Sequence, residues 1–159
     1  MIAVGEMLYA GTVQSMAADG PKLIELPAYI LDKKVVLFGV MGAFTPGCTR
    51  NHLGGYIERS AEITANGFDE ILCISANDVY VMDAWGQSVG ATGKVTLLAD
   101  GNAAYLTRLG LSVDLAEHGL GTRGRRFALT AVNGVVQALY LDGHYIETTG
   151  ASHVCSLES

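Results

Sequence analysis

The sequence predicts an α/β fold in which a mixed central sheet, flanked by helices, closes with an antiparallel hairpin. Three observations lead there. Short continuous apolar runs recur between stretches of helical character, as in sheets buried on both faces. The chain alternates strand and helix through its middle, the pattern of parallel strands joined by helical crossovers. Near the C-terminus Asn133-Gly134 separates two apolar-rich runs, the strongest short signal for a hairpin.

Taken in order, Lys33-Lys34 precedes Val35-Val36-Leu37-Phe38-Gly39-Val40, which reads as a buried strand. A loop of mostly small residues follows, Gly42-Ala43-Phe44-Thr45-Pro46-Gly47. A helix is expected to start near Cys48 or Thr49 and run towards Ala65, with Asn66-Gly67 as its stop signal. Glu70 to Ser75 reads as a second strand, and Asn77 and Asp78 offer N-caps for a helix through Val81, Trp85 and Val89. Val95 to Ala99 is a third strand, and Asn102 to Leu109 a short helix. Phe127–Val132 and Val135–Tyr140 form the hairpin. In such sheets ligands bind beyond the carboxyl ends of the parallel strands, where the loop after Val40 lies.

Length and composition bound the function. A chain of 159 residues with no internal repeat or linker is expected to form one domain, 1–159. Half of it is apolar and 16% is charged, the profile of a compact protein with a real core. The net charge of −6 argues against nucleic acid and against an anionic membrane surface. No apolar run approaches the roughly 18 residues of a membrane span. The opening Met-Ile-Ala-Val-Gly-Glu lacks a signal-peptide pattern, so a cytoplasmic protein is expected, or an organellar one if a transit peptide had been removed. Cys48, Cys73 and Cys155 form neither an even disulfide framework nor a C-x-x-C pair, which suits a reducing compartment.

The chemistry concentrates after the first strand. Cys48 falls in the first turn of the expected helix, where unpaired N–H groups and the helix dipole favour an anion and thus the nucleophilic thiolate. The alternative is a small buried packing residue. The same segment nearly spells a phosphate loop, but Cys48 stands where that motif needs lysine. His52, four residues on, has the spacing of a general base or of half a metal pair. No second ligand pair follows, so no metal is expected and a solvated or core-edge histidine is the simpler reading. Arg123-Gly124-Arg125-Arg126 is an unusual basic cluster for an acidic chain. It is either a solvated turn or the source of a guanidinium that reaches Cys48.

Val36 to Cys48 resembles the active-site segment of the type II peroxiredoxins, the subfamily that includes the mammalian atypical two-cysteine enzyme. The similarity continues collinearly through His52-Leu53, Tyr56-Ile57-Glu58, Ser75-Ala76-Asn77-Asp78, Trp85-Gly86, Gly93-Lys94-Val95, Leu97 to Asp100, Arg126 to Leu129, and Asn133 to Val136. It implies a thioredoxin-like fold and a thiol peroxidase that reduces hydrogen peroxide and alkyl hydroperoxides. By resemblance Cys48 is the peroxidatic cysteine, which becomes a sulfenic acid. Thr45 is the hydroxyl that bonds thiolate and peroxide, and Arg126 is the family arginine. Arg123 and Arg125 are then peripheral, and Met41, Phe44 and Gly47 are the expected pocket residues. No cofactor is implied; the reductant is thioredoxin, or glutaredoxin with glutathione.

Two positions need comment. The family pattern Pro-x-x-x-Thr-x-x-Cys has Met41 in place of proline, which suggests a slower or more easily over-oxidised site. Cys155, in His153-Val154-Cys155-Ser156-Leu157, resembles the resolving cysteine of the mammalian branch. It lies four residues from the end of the chain, in a tail expected to be mobile. A two-cysteine cycle through Cys155 and a one-cysteine cycle with an external thiol both stay open. Cys73 reads as a core residue of its strand. Homodimerisation is implied, with Phe44, Tyr80 and Trp85 as candidate contacts. The rival of a different class is a low-turnover redox sensor that keeps the reactive Cys48.

Overall fold

The computed structural model describes residues 1–143 and 145–157. Seven strands form one mixed sheet in the order β2-β1-β5-β4-β3-β8-β9. β3 (Lys34–Gly39), β4 (Glu70–Ser75) and β5 (Thr96–Ala99) are parallel, as continuous apolar runs covered on both faces should be. β8 (Arg126–Val132) runs antiparallel to β3, and β9 (Val135–Asp142) closes the expected hairpin. Asn133 and Gly134 both take positive φ, 51° and 80°, the backbone that a two-residue hairpin turn of matching twist requires.

Successive strand residues face opposite sides, and this divides the core. Val35, Leu37, Leu72, Ile74, Phe127 and Leu129 fill one side. Val36, Phe38, Val40, Cys73 and Ala128 fill the other, where they meet Cys48, Tyr56, Trp85, Val154 and Cys155. All three cysteines therefore share one apolar layer.

Three parts of the fold were not foreseen. An N-terminal hairpin, β1 (Gly11–Ala17) with β2 (Gly20–Leu26), extends the sheet beyond β5. Only Val13, Ile24 and Leu26 of it are buried, so its apolar signal is thin. A small second sheet pairs β6 (Ser112–Asp114) with β7 (Thr122–Gly124), directly before Arg126. Finally, Ala151–Leu157 forms a helix, α5, with Val154 and Cys155 buried, which corrects the expectation of a mobile tail as far as Leu157. Glu158 and Ser159 lie outside the described residues.

The expected helix from Cys48 to Ala65 is not one regular helix. A helical turn opens at Pro46, passes into a π-helical stretch over Cys48–Leu53, continues as α1 (Gly54–Glu58), breaks at Arg59 and resumes as α2 (Ser60–Ala65). Pro46 suits the first helical position, where its missing N–H has no partner to lose. Helices α3 (Val79–Val89) and α4 (Ala104–Arg108) complete the set. Asp78 caps α3 by accepting from Val81 N at 2.8 Å. Asn77, the other candidate cap, acts elsewhere.

Candidate active site

The loop after β3 is fixed from three directions. Asn77 Oδ1 accepts from Ala43 N at 3.0 Å and from Ser75 Oγ at 2.6 Å, which ties the loop to the end of β4. Thr45 Oγ1 donates to Gly42 O at 2.7 Å, and Thr45 O accepts from Thr49 N at 2.9 Å. The Thr45 hydroxyl proton is thus held by Gly42 O, which leaves the oxygen's lone pairs as acceptors. Phe44 sits at φ 66° with its ring exposed, a left-handed conformation rare outside glycine.

Cys48 is fully buried and free. At its neighbour Gly47 an added Cβ would stand 3.2 Å from Arg126 Nη2, so the guanidinium lies close over Gly47. That close approach brings the Arg126 guanidinium over the helical turn that carries Cys48. Arg126 is itself buried, and its Nη1 donates to Gly143 O at 3.2 Å. Of the three candidate cations, Arg126 is the one that stands beside Gly47, because β8 starts there and pairs Phe127 with Gly39 at the end of β3.

Arg123 is not peripheral. Its Nε donates to Leu120 O at 2.8 Å and its Nη1 to Met41 O at 3.4 Å, so it braces the other end of the loop. Sequence reasoning missed this because β7, which aims Arg123, is three residues long. Met41, Arg125 and Arg126 line an open cavity of about 570 Å³ together with Val113, Leu115 and Leu120. The cavity meets the site at Met41 and Arg126; Phe44 and Gly47, the other expected pocket residues, do not line it.

His52 and Tyr56 are buried behind Cys48. The Tyr56 ring stacks on Phe38 with centroids 3.9 Å apart. Tyr56 Oη donates to Thr149 O at 2.7 Å, and His52 Nε2 lies 3.1 Å from the same oxygen, so it carries the ring proton. His52 is a core histidine, fully buried rather than solvated or at the core edge. Burial lowers its pKa to about 4; the Arg126 charge adds to this, while the Thr149 bond and Asp142 oppose it. Among the described residues no group of three His, Cys, Asp or Glu side chains is placed to hold a metal ion.

Asp142 organises the segment behind His52. Its oxygens accept from Glu147 N, from Thr148 N and Oγ1, and from Thr149 N and Oγ1, all at 2.7–2.9 Å. Burial alone would raise its pKa, but these bonds overcome burial and hold the carboxyl well below its usual range. Burial raises the Cys73 thiol well above its usual value, with Cys48 adding to the rise, as befits a core residue. Burial also raises Cys155, against an opposing hydrogen bond from Arg59. Trp85 is fully buried and its Nε1 donates to Thr49 Oγ1 at 3.1 Å, so it is no dimer contact but a brace for the Cys48 turn.

A thioredoxin-like sheet that buries a free cysteine in a helical turn beneath an arginine defines a thiol redox protein without a C-x-x-C pair. The redoxin family profile matches residues 4–152. Peroxiredoxin-2B of Arabidopsis thaliana is 44% identical over 129 residues, 80% of each chain. Peroxiredoxin-2C of Oryza sativa subsp. japonica is 41% identical over 155 residues, 96% of each. The structure of reduced Prx3 from Vibrio vulnificus in complex with hydrogen peroxide superposes with a TM-score of 0.96 at 37% identity, covering 100% of both chains. The chain belongs to the redoxin family, in its peroxiredoxin branch, and is a thiol peroxidase.

Proposed function

We propose that this protein reduces hydrogen peroxide and organic hydroperoxides with Cys48 as nucleophile, Arg126 as the cation at the reacting oxygens and Thr45 as the hydroxyl that orients them. The Cys48 sulfur attacks one peroxide oxygen, the O–O bond breaks, and the other oxygen leaves as alkoxide or hydroxide, which takes up a proton. Cys48 is left as a sulfenic acid. The observation that carries this reading is the approach of Arg126 Nη2 to Gly47, directly beside the buried Cys48. Such a step needs a preformed positive site for a departing oxyanion more than it needs a strong base, and His52, neutral and engaged with Thr149, supplies none.

The cavity supports organic substrates. A water molecule takes about 30 Å³ of liquid, and hydrogen peroxide only a little more. A cavity of about 570 Å³, walled by Met41, Val113, Leu115 and Leu120, leaves ample apolar space for an alkyl group. Turnover is completed by a thioredoxin-type reductant, thioredoxin itself or glutaredoxin with glutathione. A homodimer through the active-site face fits Phe44 and Tyr80, both exposed, on neighbouring segments joined by the Ala43–Asn77 hydrogen bond. Three free cysteines fit a reducing compartment such as the cytoplasm.

The test is a single-turnover thiol count with one equivalent of hydrogen peroxide in the parent, Cys48→Ser and Cys155→Ser. Rapid thiol loss that vanishes in Cys48→Ser is expected. Loss of two thiols that needs both cysteines identifies Cys155 as the resolving residue, and loss of one identifies a one-cysteine cycle. Absence of rapid loss in the parent would refute the peroxidase reading of Cys48; a sensor that keeps a reactive Cys48 would instead show rapid loss without sustained turnover under excess thioredoxin or glutaredoxin.

A further inference from the structure

The buried polar groups that the peroxidase step does not use converge on one carbonyl. Thr149 O takes a hydrogen bond from Tyr56 Oη at 2.7 Å and one from His52 Nε2 at 3.1 Å. Both donors belong to the helical run that begins just before Cys48. The acceptor lies two residues before α5, which carries Cys155. From the other side Asp142 holds the N–H and hydroxyl of the same Thr149. The segment that leads into α5 is therefore clamped between the end of β9 and the Cys48 helix.

In this arrangement the two cysteines are not placed to react. The Cys155 thiol lies against Arg59 and Glu62. Arg59 is eleven residues beyond Cys48, at the far end of the π-helical and α-helical run that Cys48 opens. A disulfide needs Cα atoms roughly 5.5–6 Å apart. Either the Cys48 turn must unwind, carrying His52 away, or α5 must leave its seat. Both movements break the bonds to Thr149 O.

We infer that His52 and Tyr56 are positioning residues for the resolving step: their shared bond to Thr149 O latches the Cys155 segment to the Cys48 helix and sets the rate at which the Cys48 sulfenic acid is resolved. The inference rests on Cys155 as the resolving cysteine. In that step the Cys155 sulfur attacks the sulfenic sulfur, an S–S bond forms, the S–O bond breaks, and hydroxide leaves with the Cys155 proton as water. A tight latch keeps Cys48 in its peroxide-reactive geometry; a loose one favours the disulfide and shortens the life of the sulfenic acid.

Tyr56→Phe removes one bond and keeps the stack on Phe38, His52→Leu removes the other, and His52→Gln retains an N–H donor. Three rates separate the outcomes: first-thiol loss in a Cys155→Ser background, formation of the Cys48–Cys155 disulfide, and iodoacetamide alkylation of Cys155 in reduced Cys48→Ser protein. In Tyr56→Phe and His52→Leu, alkylation and disulfide formation should each rise about fivefold, the scale of one lost hydrogen bond, with first-thiol loss nearly unchanged. His52→Gln should stay close to the parent. Unchanged alkylation overturns the latch. Faster alkylation without a faster disulfide overturns its control of resolution, and a parallel fall in first-thiol loss assigns both residues to packing alone. If the parent forms no disulfide at all, the resolver reading fails and the inference falls with it, while the alkylation rates still report whether Thr149 O holds the segment.

Discussion

Trp85 Nε1 donates to Thr49 Oγ1 across 3.1 Å, joining α3 to the residue that follows Cys48. The indole is fully buried while Thr49 is half-buried, so removing the acceptor leaves a buried donor without a partner, which is costly. Trp85→Phe keeps most of the apolar bulk and removes the donor; Thr49→Val removes the acceptor. Each should lower unfolding stability by about 1–2 kcal/mol in urea titration, with a coupling near 1 kcal/mol in the double variant. Additive losses would show that the bond contributes nothing beyond packing.

Arg126→Lys keeps a charge at the site but loses the planar fork that serves Gly143 O and the region above Gly47 at once. Loss of a preorganised donor at a developing oxyanion commonly costs a factor of about 100 or more. First-thiol loss with hydrogen peroxide should slow by about that factor, whereas the melting temperature should move little. Arg125→Lys, at a cavity wall, should leave the same rate within about twofold. Equal effects in the two variants would remove the distinction drawn between these neighbouring arginines.

How far the sequence alone reached differs between strands and turns. The run from Val35 to Val40 and the Asn133-Gly134 turn were legible because burial on both faces and paired positive φ leave few residue choices. The roles proposed for Cys48 and Arg126 rest chiefly on resemblance; the physics of a helix start narrowed the first and left three arginines open for the second. The π-helical stretch over Cys48–Leu53 left no mark, since an extra residue in a turn hardly alters apolar spacing. The second anchor of the loop, Arg123 on Met41 O, depends on the pairing of β6 with β7, strands too short to show a period. Trp85 read as a surface contact because the acceptor of its indole N–H, Thr49, is 36 residues away.

Met41 stands where the family pattern has proline, and the structure shows what the exchange does. Its carbonyl is held by Arg123 and its side chain lines the cavity beside Arg126, while no hydrogen bond from its backbone N–H is found among the described residues. Proline at this position would therefore sacrifice no bond. Proline would also hold the preceding Val40, just beyond β3, to an extended backbone. Met41→Pro should raise the peroxide concentration needed to drive half of Cys48 to sulfinic acid, read by intact-protein mass spectrometry. It should also remove one oxidisable thioether from the cavity wall. A variant as readily over-oxidised as the parent would show that Met41 already shields the sulfur.

His52 also sets how the fold responds to acid. Unfolded, its imidazole takes a proton near 6.5; folded, burial lowers that value to about 4. Between these limits the unfolded chain binds more protons than the folded one, so stability falls as pH falls. The contribution is fully present above about 6.5 and is lost as pH drops through 4; the gap corresponds to about 3 kcal/mol. Asp142 acts in the same direction at lower pH. Its depressed carboxyl contributes stability that is fully present above the unfolded value of 3.8 and is lost progressively as pH falls from there through the lower folded value, because the unfolded chain takes up the proton first. Urea titrations at pH 7, 5.5 and 4.5 should show the parent weakening across this whole range and His52→Gln staying nearly flat. Below about pH 4 both should weaken together, and Asp142→Asn should blunt that last decline while being less stable at pH 7. A parent whose stability is level from pH 7 to 4.5 would mean that His52 is protonated in the fold without penalty, and that its hold on Thr149 O does not depend on a dry, neutral ring.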